Sequence, residues 1–391
     1  MTASRREFLK LSSLFALTGS LPLLQACSEN FAANPDAPLR IGYLPITDAT
    51  PLLIAVDQGL FEKRGIKIEK PVLFRSWAQL VEAFISGQVN VIHLLSPMAI
   101  WVRYGSTSPA KVVMWNHMAG SALTVAPHIN HIHELGGQTI AIPFWYSIHN
   151  VVFQHLLREN NLIITEKAPL NNHEVRLAVM APSDMVAALA TKAIAGFIVA
   201  EPFNAIAEAK GVGKVLRFSA DVWKDHACCV TLMHDHDLKN RPEWANRIVD
   251  ALVEAQIWGN HYRLETAHLL SKQGRHKFMP HEEKVLANVL APTDDAWQRY
   301  INAGIIKNPE WNQSRIDFQP YPYDSYTETL ITLLKKTHIA GVNTFLDSLD
   351  PKEVARDLVD PTFVKRALVK QDAFAHFKLP PSLSRQEIIT A

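Results

Sequence analysis

The sequence predicts an α/β fold of two lobes with a ligand cleft between them. From Leu39 onward, short apolar runs of strand length alternate with stretches of helical periodicity, which is typical of α/β architecture. The chain has 391 residues, enough for two ordinary domains after a leader is removed. Internal repeats, low-complexity tracts and blocks of like charge are absent from the sequence.

The first set of elements begins with a strand at residues 39–44, which Pro45 ends. Thr47 or Asp48 is placed to cap a helix over residues 49–58, and Gly59 stops that helix. The pattern then predicts a strand at 66–74, a helix at 78–86, a strand at 89–95, a helix opened by Pro97 and Met98, and strands at 111–115 and 122–126.

The second set begins with a strand at 139–142, and the chain later returns to the first set. The predicted elements are a helix at 148–158, a strand at 174–179, a helix at 183–192, a strand at 196–200, a helix started by Glu201 and Pro202, and strands at 215–218 and 228–233. A long helix over residues 242–262 carries apolar side chains at helical spacing. We therefore predict one lobe from 39–130 with 228–391, whose end is rich in helix, and a second from 131–227.

The N-terminal segment has the pattern of an export signal. A twin-arginine pattern at residues 4–10 precedes an apolar run at 11–24 that is too short to span a bilayer comfortably. Leu24-Gln25-Ala26-Cys27 has the pattern of a lipobox, which predicts cleavage before Cys27 and acylation of its thiol. Residues 1–26 are then a signal peptide and 27–38 a tether, and the protein is lipid-anchored in the periplasm or at the cell surface. The alternative is an ordinary signal with a chance cysteine.

Charge and cysteine content narrow the class of protein. Loss of residues 1–26 removes Arg5, Arg6, Lys10 and Glu7, so the formal charge falls from +1 to −1, which argues against a nucleic-acid partner. Besides Cys27 the chain has only the neighbours Cys228 and Cys229, which is no disulfide framework. They could be buried thiols in a strand, a strained vicinal disulfide, or metal ligands with outside help.

Polar residues stand where predicted strands end and helices begin. Asp48, Ser96, Ser147 and Glu201 occupy such junctions. In open α/β sheets ligands bind outside the carboxyl ends of the strands, where helix N-termini favour anions. The sequence has no phosphate loop, nucleophile elbow, zinc-protease motif or glycine-rich dinucleotide turn, so we expect a binding protein rather than an enzyme.

Six segments in order carry a resemblance to a known family. They are residues 42–52 (GYLPITDATPL) with 55–61 (AVDQGLF), 147–150 (SIHN), 181–186 (APSDMV), 196–205 (GFIVAEPFNA) and 221–226 (DVWKDH). Together they resemble the nitrate- and bicarbonate-binding proteins of ABC importers, whose wider family includes binders of alkanesulfonates and thiamin pyrimidine precursors. The resemblance implies a type II periplasmic-binding-protein fold. It also implies a monomer without a cofactor that captures nitrate, nitrite or bicarbonate for an ABC permease and its ATPase.

The resemblance also implies ligand contacts. His149 would donate to an anion from a helix start, with capping as its alternative role, and Lys224 would supply a positive charge. Glu201 would orient one of these two residues or accept from an amine, with helix capping as the alternative, and Asp48 stands in a similar position.

The remaining predicted contacts are aromatic residues and hydroxyl donors. Trp77 would lie in the cleft, with core packing as the alternative, Trp223 would form a wall, and Tyr146 would stack on the ligand or hydrogen-bond to it. Ser96 and Ser147 would be donors at helix starts.

Some departures keep other ligands and functions open. The aromatic stretch at 143–146 and the pair Cys228-Cys229 both depart from the family pattern. The aromatic residues favour a ligand with an apolar body, such as a sulfonate or taurine, or a pyrimidine precursor. Pyrimidine-precursor synthases share the fold and use iron and a histidine, but they are cytosolic, which the leader argues against. A lobe that feeds a sensor kinase is a further alternative. We expect no metal at the histidine groups 128–133 and 234–236, because such loops are usually solvated and no cysteine or carboxylate set completes a site.

Overall fold

The computed structural model describes residues 37–390. The predicted signal peptide, Cys27 and nearly all of the predicted tether lie outside the described residues. Among residues 37–390, no helix is both long enough and apolar enough to cross a membrane.

Two mixed sheets organise the chain. The strands are β1 Ile41–Tyr43, β2 Val72–Leu73, β3 Val91–Leu95, β4 Ala110–Trp115, β5 Met118–Ala119, β6 Ser121–Val125, β7 Thr139–Ile142, β8 Ile163–Ile164, β9 Glu174–Val179, β10 Gly196–Ala200, β11 Lys214–Phe218, β12 Cys229–His234 and β13 Ile316–Asp317. The first sheet has five strands in the order β2-β1-β3-β12-β4, and the second has six in the order β11-β6-β10-β7-β9-β8. A two-stranded ribbon of β13 and β5 is separate from both sheets.

Helices cover the sheets and fill most of the C-terminal third. They are α1 Thr50–Asp57, α2 Trp77–Ile85, α3 Ser96–Ile100, α4 Ile148–Glu159, α5 Pro182–Ala190, α6 Phe203–Ala209, α7 Asp235–Asn240, α8 Pro242–His261, α9 Arg263–Leu270, α10 Glu283–Leu290, α11 Asp294–Asn302, α12 Asp324–Leu334, α13 Pro351–Leu358 and α14 Thr362–Lys370. The long helix α8 packs against α1 and α14, so the C-terminal helices extend the core of the first sheet.

The first sheet forms around the buried strands β1 and β3. β1 pairs in parallel with β2 and β3, and β12 inserts antiparallel between β3 and β4. Residues 229–234 therefore return to the first sheet, as the sequence predicted. Gly42 allows α2 to pack closely on β1, because a Cβ at this position would lie 2.6 Å from Leu80 Cδ1.

The second sheet contains one strand that the sequence analysis placed in the first lobe. Residues 121–125 form β6, which pairs antiparallel with both β10 and β11. The chain thus enters the second sheet between β4 and β6, before residue 130, and leaves it between β11 and β12. The apolar pattern of β6 fits either sheet, and only pairing with distant strands selects one.

Two other predictions of local structure are wrong. The strand predicted over 66–74 reduces to Val72–Leu73 and an isolated bridge at Ile68, because residues 67–74 are mostly exposed and lack a buried face. Neither Thr47 nor Asp48 caps α1; both lie in a 3-10 turn, and Ala49 precedes the helix without a side-chain cap. The Asp48 carboxylate points into the buried interior instead.

β12 ends in a half-buried histidine. The His234 ring stacks on Phe84 with centroids 3.9 Å apart and lies 5.2 Å from His236. Burial lowers the pKa of His234 to about 4, His236 adds to this, and Asp237 opposes it only in part. His234 is therefore neutral in the folded protein near pH 7.

Candidate functional site

Chain segments from both sheets meet at one buried junction. Asp48 follows β1 in the 3-10 turn, and His117 lies two residues after β4. Cys228 directly precedes β12, whose first residue is Cys229, and His149 lies in the first turn of α4 beside the second sheet. The side chains come together because the carboxyl ends of β1 and β4 and the start of antiparallel β12 share one edge of the first sheet.

Four of these residues form what we call the interlobe cluster: Asp48, His117, Cys228 and Cys229. His117 Nε2 lies 3.1 Å from Asp48 Oδ2, and the same oxygen lies 3.2 Å from Cys228 Sγ and 3.1 Å from Cys229 Sγ. All four side chains are buried. Both thiols are free, so the vicinal disulfide is not formed.

Burial and close contact shift the pKa values of all four side chains of the cluster. Burial acts to lower the pKa of His117, but Asp48 and Cys228 outweigh it and raise that pKa to about 10. Burial acts to raise the pKa of Cys228, but the Cys229 hydrogen bond and the neighbouring histidines hold it well below its usual value. Burial raises the pKa of Cys229 well above its usual value, and burial and Cys228 together raise that of Asp48. The acidic groups around His117 therefore favour the protonated form of its imidazole.

His149 joins the second sheet to this cluster. Its Nε2 lies 2.9 Å from Ser121 Oγ and 3.9 Å from Cys228 Sγ. Ser147 is the N-cap of α4, where its Oγ accepts from the backbone N–H of Asn150 at 3.1 Å. Ser147 therefore orients the helix start that presents His149, rather than facing the cluster through its hydroxyl.

The two lobes touch directly beside the cluster. The Thr47 N–H and hydroxyl both donate to the Glu201 carbonyl, at 3.0 and 3.1 Å. The Glu201 carboxylate receives Arg315 Nε at 2.6 Å and the Ala205 N–H at 3.2 Å. Burial raises the pKa of Glu201, and Arg315 opposes that rise. Glu201 therefore orients neither Lys224 nor His149; it forms a buried ion pair with Arg315.

Lys224 and Trp223 face the C-terminal segment. The Lys224 ammonium lies 6.0 Å from the Trp311 ring centroid, and its backbone N–H donates to Ile388 O. Trp223 Nε1 donates to Glu387 Oε2 at 2.7 Å, with its ring buried. These contacts tie residues 223–224 to the chain end, so the structure does not bring them together with His149.

Three other predicted contacts are buried around the junction. The Trp77 ring lies edge-on to His93, with centroids 5.4 Å apart, and Tyr146 packs near Trp101 at 6.4 Å. Ser96 Oγ lies 2.6 Å from Tyr326 Oη, beside a cavity of about 10 Å³, the volume that roughly one water molecule needs.

Several buried polar atoms at this junction have no hydrogen-bond partner in the part of the chain that the structure describes. They are Asp48 Oδ1, Trp77 Nε1, His93 Nδ1, Tyr146 Oη and His149 Nδ1. His93 connects Trp77 to the cluster, because it contacts Trp77 and its pKa is lowered to about 3 by burial and by nearby His117. A buried polar group without a partner costs free energy, so such a set marks a place for a polar ligand.

Sequence reasoning missed His117, His93 and Arg315. His117 follows a strand just as Asp48 does, so the strand-end rule that selected Asp48 could have found it. His93 lies inside β3, and Arg315 lies in an irregular segment of the helix-rich C-terminal part. No local pattern distinguishes either residue from an ordinary polar side chain.

Comparisons with known proteins identify the family and the fold. The nitrate/nitrite binding protein NrtA of Nostoc sp. is 24% identical over 240 residues, which cover 56% of this chain and 53% of that protein. The chain thus spans about half the length of the first curated relatives it matches.

Two solved structures share the fold. The periplasmic nitrate-binding protein NrtA of Synechocystis aligns with a TM-score of 0.71 at 18% identity, covering 89% of this chain and 92% of that one. The periplasmic aliphatic sulphonate binding protein SsuA of Escherichia coli aligns with a TM-score of 0.59 at 17% identity, covering 83% and 92%. The predicted two-lobed periplasmic-binding-protein fold is confirmed. The model of the NMT1-like family matches residues 32–272, and this chain belongs to that family.

Proposed function

We propose that this protein is the solute-binding component of an ABC importer and that it binds a small polar solute between its lobes. The observation that carries the proposal is the set of partnerless buried polar atoms where the two sheets meet. Direct contact between Thr47 and Glu201 corresponds to a closed form. A ligand that touches both sides would stabilise this closed form over an open one. No reaction is needed, and the relative NrtA of Nostoc and the fold neighbours NrtA of Synechocystis and SsuA of Escherichia coli are binding proteins by name.

The solute we propose is a small oxoanion such as nitrate, nitrite or bicarbonate. His149 lies in the first turn of α4, where the positive end of the helix dipole favours an anion, and protonated His117 adds a charge nearby. Lys224 contributes to such a site only if the C-terminal segment moves, because its present contacts are with Trp311 and Ile388. An alkanesulfonate or a pyrimidine precursor is the competing solute.

The cellular setting belongs to the same proposal. Export by the twin-arginine route, cleavage before Cys27 and a lipid anchor there would hold a monomer outside the cytoplasmic membrane. Delivery to a permease coupled to an ATPase would follow from recognition of the closed form. The proposed lobes are those predicted from the sequence, 39–130 with 228–391 and 131–227, with one change. Residues 121–125 belong to the second lobe, because they pair with β10 in the second sheet.

Calorimetric titration with nitrate, nitrite, bicarbonate, taurine and pyrimidine precursors tests the proposal. One class should bind, and a solute present at a hundred times its Kd should stabilise the protein by about 2.7 kcal/mol in thermal unfolding. His149→Ala should abolish that binding. His155→Ala is the matched control, because His155 is on the same helix but contacts Thr390 O instead of the cluster.

The outcomes separate the alternatives. Binding of taurine without nitrate would replace the oxoanion with a sulfonate and keep the binding function. Equal loss of affinity in both histidine variants would remove His149 from the site. A product formed from any of these solutes, or no binding by the whole set, would contradict the proposed function.

A further inference from the structure

The interlobe cluster has the donor set of a transition-metal site. It offers one imidazole nitrogen, two thiol sulfurs and one carboxylate oxygen, and these atoms all lie within 4.8 Å of one another. Zn²⁺ is bound in proteins by this combination of nitrogen, sulfur and oxygen ligands, whereas Ca²⁺ and Mg²⁺ select oxygen. The chemistry of the cluster thus favours a thiophilic ion over a hard cation.

The distances within the cluster fit one central ion. Ligand atoms placed tetrahedrally at about 2.0–2.3 Å from Zn²⁺ lie roughly 3.3–3.8 Å from one another. Asp48 Oδ2 lies 3.1 Å from His117 Nε2, 3.2 Å from Cys228 Sγ and 3.1 Å from Cys229 Sγ, and the widest separation in the cluster is under 4.8 Å. Side-chain movements on the order of 1 Å therefore convert the cluster into a tetrahedral shell.

The surroundings of the ligands support the same conclusion. Asp48 Oδ1 is buried and accepts no hydrogen bond from residues 37–390, so the carboxylate has an unused acceptor at the cluster. His117 Nδ1 lies 3.3 Å from Met118 O, a backbone contact of the kind that orients metal-binding imidazoles and leaves Nε2 for the ion. Asn116 Nδ2 donates to Asp48 O at 3.1 Å and fixes the turn that carries the carboxylate.

We propose that Asp48, His117, Cys228 and Cys229 bind one thiophilic divalent transition-metal ion, for which Zn²⁺ is the probe. As the metal–ligand bonds form, each thiol that ligates and the His117 imidazolium give one proton each to solvent, so that two thiolates and a neutral imidazole bind the ion. The ion would connect the turn after β1 to both segments that run between the sheets. The four ligand side chains are buried, so the ion reaches them only when the surrounding segments move apart. This site goes beyond the proposed solute function and does not depend on it.

Zinc titration of the full chain, reduced and stripped of metal with a chelator, tests the site. We expect one ion per chain by calorimetry, and Cys228→Ala/Cys229→Ala should weaken binding by roughly 100-fold or more. The matched control is His131→Ala/His133→Ala, which removes an exposed histidine pair whose rings lie 5.3 Å apart and should leave the affinity unchanged. Both variants keep Cys27.

A spectroscopic measurement on the unaltered chain covers the case in which the cysteine variant does not fold. Co²⁺ in the site should give a thiolate-to-metal charge-transfer band that Zn²⁺ removes in a 1:1 titration. Absence of that band, unchanged Zn²⁺ affinity in the cysteine variant, or loss of binding in the His131/His133 variant would each overturn the proposal. Repeating the solute titrations with chelator present separates its failure from failure of the proposed function.

Discussion

Replacement of Arg315 by methionine tests whether the buried ion pair with Glu201 stabilises the contact between the two lobes. The Arg315 side chain is 4% exposed and the Glu201 side chain is fully buried, and their charged atoms lie 2.6 Å apart. Arg315 also lies 3.2 Å from Glu208 and 3.1 Å from Tyr300 Oη. The variant leaves the Glu201 carboxylate in the interior without its cation.

The expected loss follows from burial. Breaking a buried pair by removing one partner costs about 3–5 kcal/mol, and the partly exposed Glu208 contact adds at most about 1 kcal/mol. The free energy of unfolding of Arg315→Met should therefore fall by about 3–6 kcal/mol near neutral pH, as measured by urea denaturation. Glu201→Gln in the same chain should restore much of the loss, because the amide carries no charge.

The pH dependence gives a second check. The folded-state pKa of Glu201 is raised by burial, so with Arg315 removed the folded protein retains a proton that the unfolded chain releases above about pH 4.3. The free energy of unfolding of the variant should then decline relative to the wild type as pH rises from about 4.3 until the folded pKa is passed. At low pH the two proteins should differ less.

A control isolates the effect of burial. Arg263→Met breaks an ion pair with Asp317 whose side chains are 19% and 43% exposed, so it should cost about 1 kcal/mol or less. If Arg315→Met costs no more than this control, or if Glu201→Gln gives no rescue, the buried pair does not stabilise the lobe contact and the reasoning fails.

Three further predictions concern other parts of the fold. As pH falls from 7 to 5, the free energy of unfolding of the wild type should decrease by about 2 kcal/mol more than that of His234→Phe. The pKa of His234 is about 6.5 in the unfolded chain and about 4 in the folded protein, so the unfolded chain takes up the proton first. Parallel pH profiles of the two proteins would refute this. Ser147→Ala should cost about 1 kcal/mol in thermal unfolding through loss of the α4 N-cap, and Ser147→Thr should restore most of it; an unchanged melting temperature in the alanine variant would count against the cap. Thr47→Val removes a hydroxyl that donates to Glu201 O, so it should destabilise the closed form relative to the open form by about 1 kcal/mol. The radius of gyration in solution scattering should then increase, and an unchanged radius would contradict the prediction.

Much of the fold is predictable because its elements are local. The strands at 139–142 and 196–200 have the predicted bounds, since continuous apolar runs between polar stretches specify buried strands. The strand at 174–179 also has the predicted bounds, although it contains Glu174 and Arg176 and is mostly half-buried. The strand predicted at 66–74 is wrong. Its apolar residues share no buried face in the structure; they are Ile66, Ile68, Val72 and Leu73. The exposure of a side chain depends on its neighbours in the folded protein, and the periodicity of the sequence carries no information about them.

The site was predictable only in part. Strand-end position selected Asp48 and Ser147, and the family resemblance selected His149; all three lie at the junction. It also selected Glu201, whose partner Arg315 is 114 residues away and carries no local signal. A resemblance selected Lys224, which the structure places against Trp311. Where a side chain points depends on its tertiary partners, so roles assigned by position need the packed structure.

The sequence by itself determined the α/β class, the order of most elements, the return of residues 229–234 to the first sheet and the family. Only the tertiary structure decided that Asp48 meets Cys229 across 181 residues and that His117 completes the group. The physical reason is the distance along the chain over which the interactions act. Helix and strand periodicity arise from neighbouring residues, whereas a cluster depends on how strand ends are brought together when two sheets pair and pack.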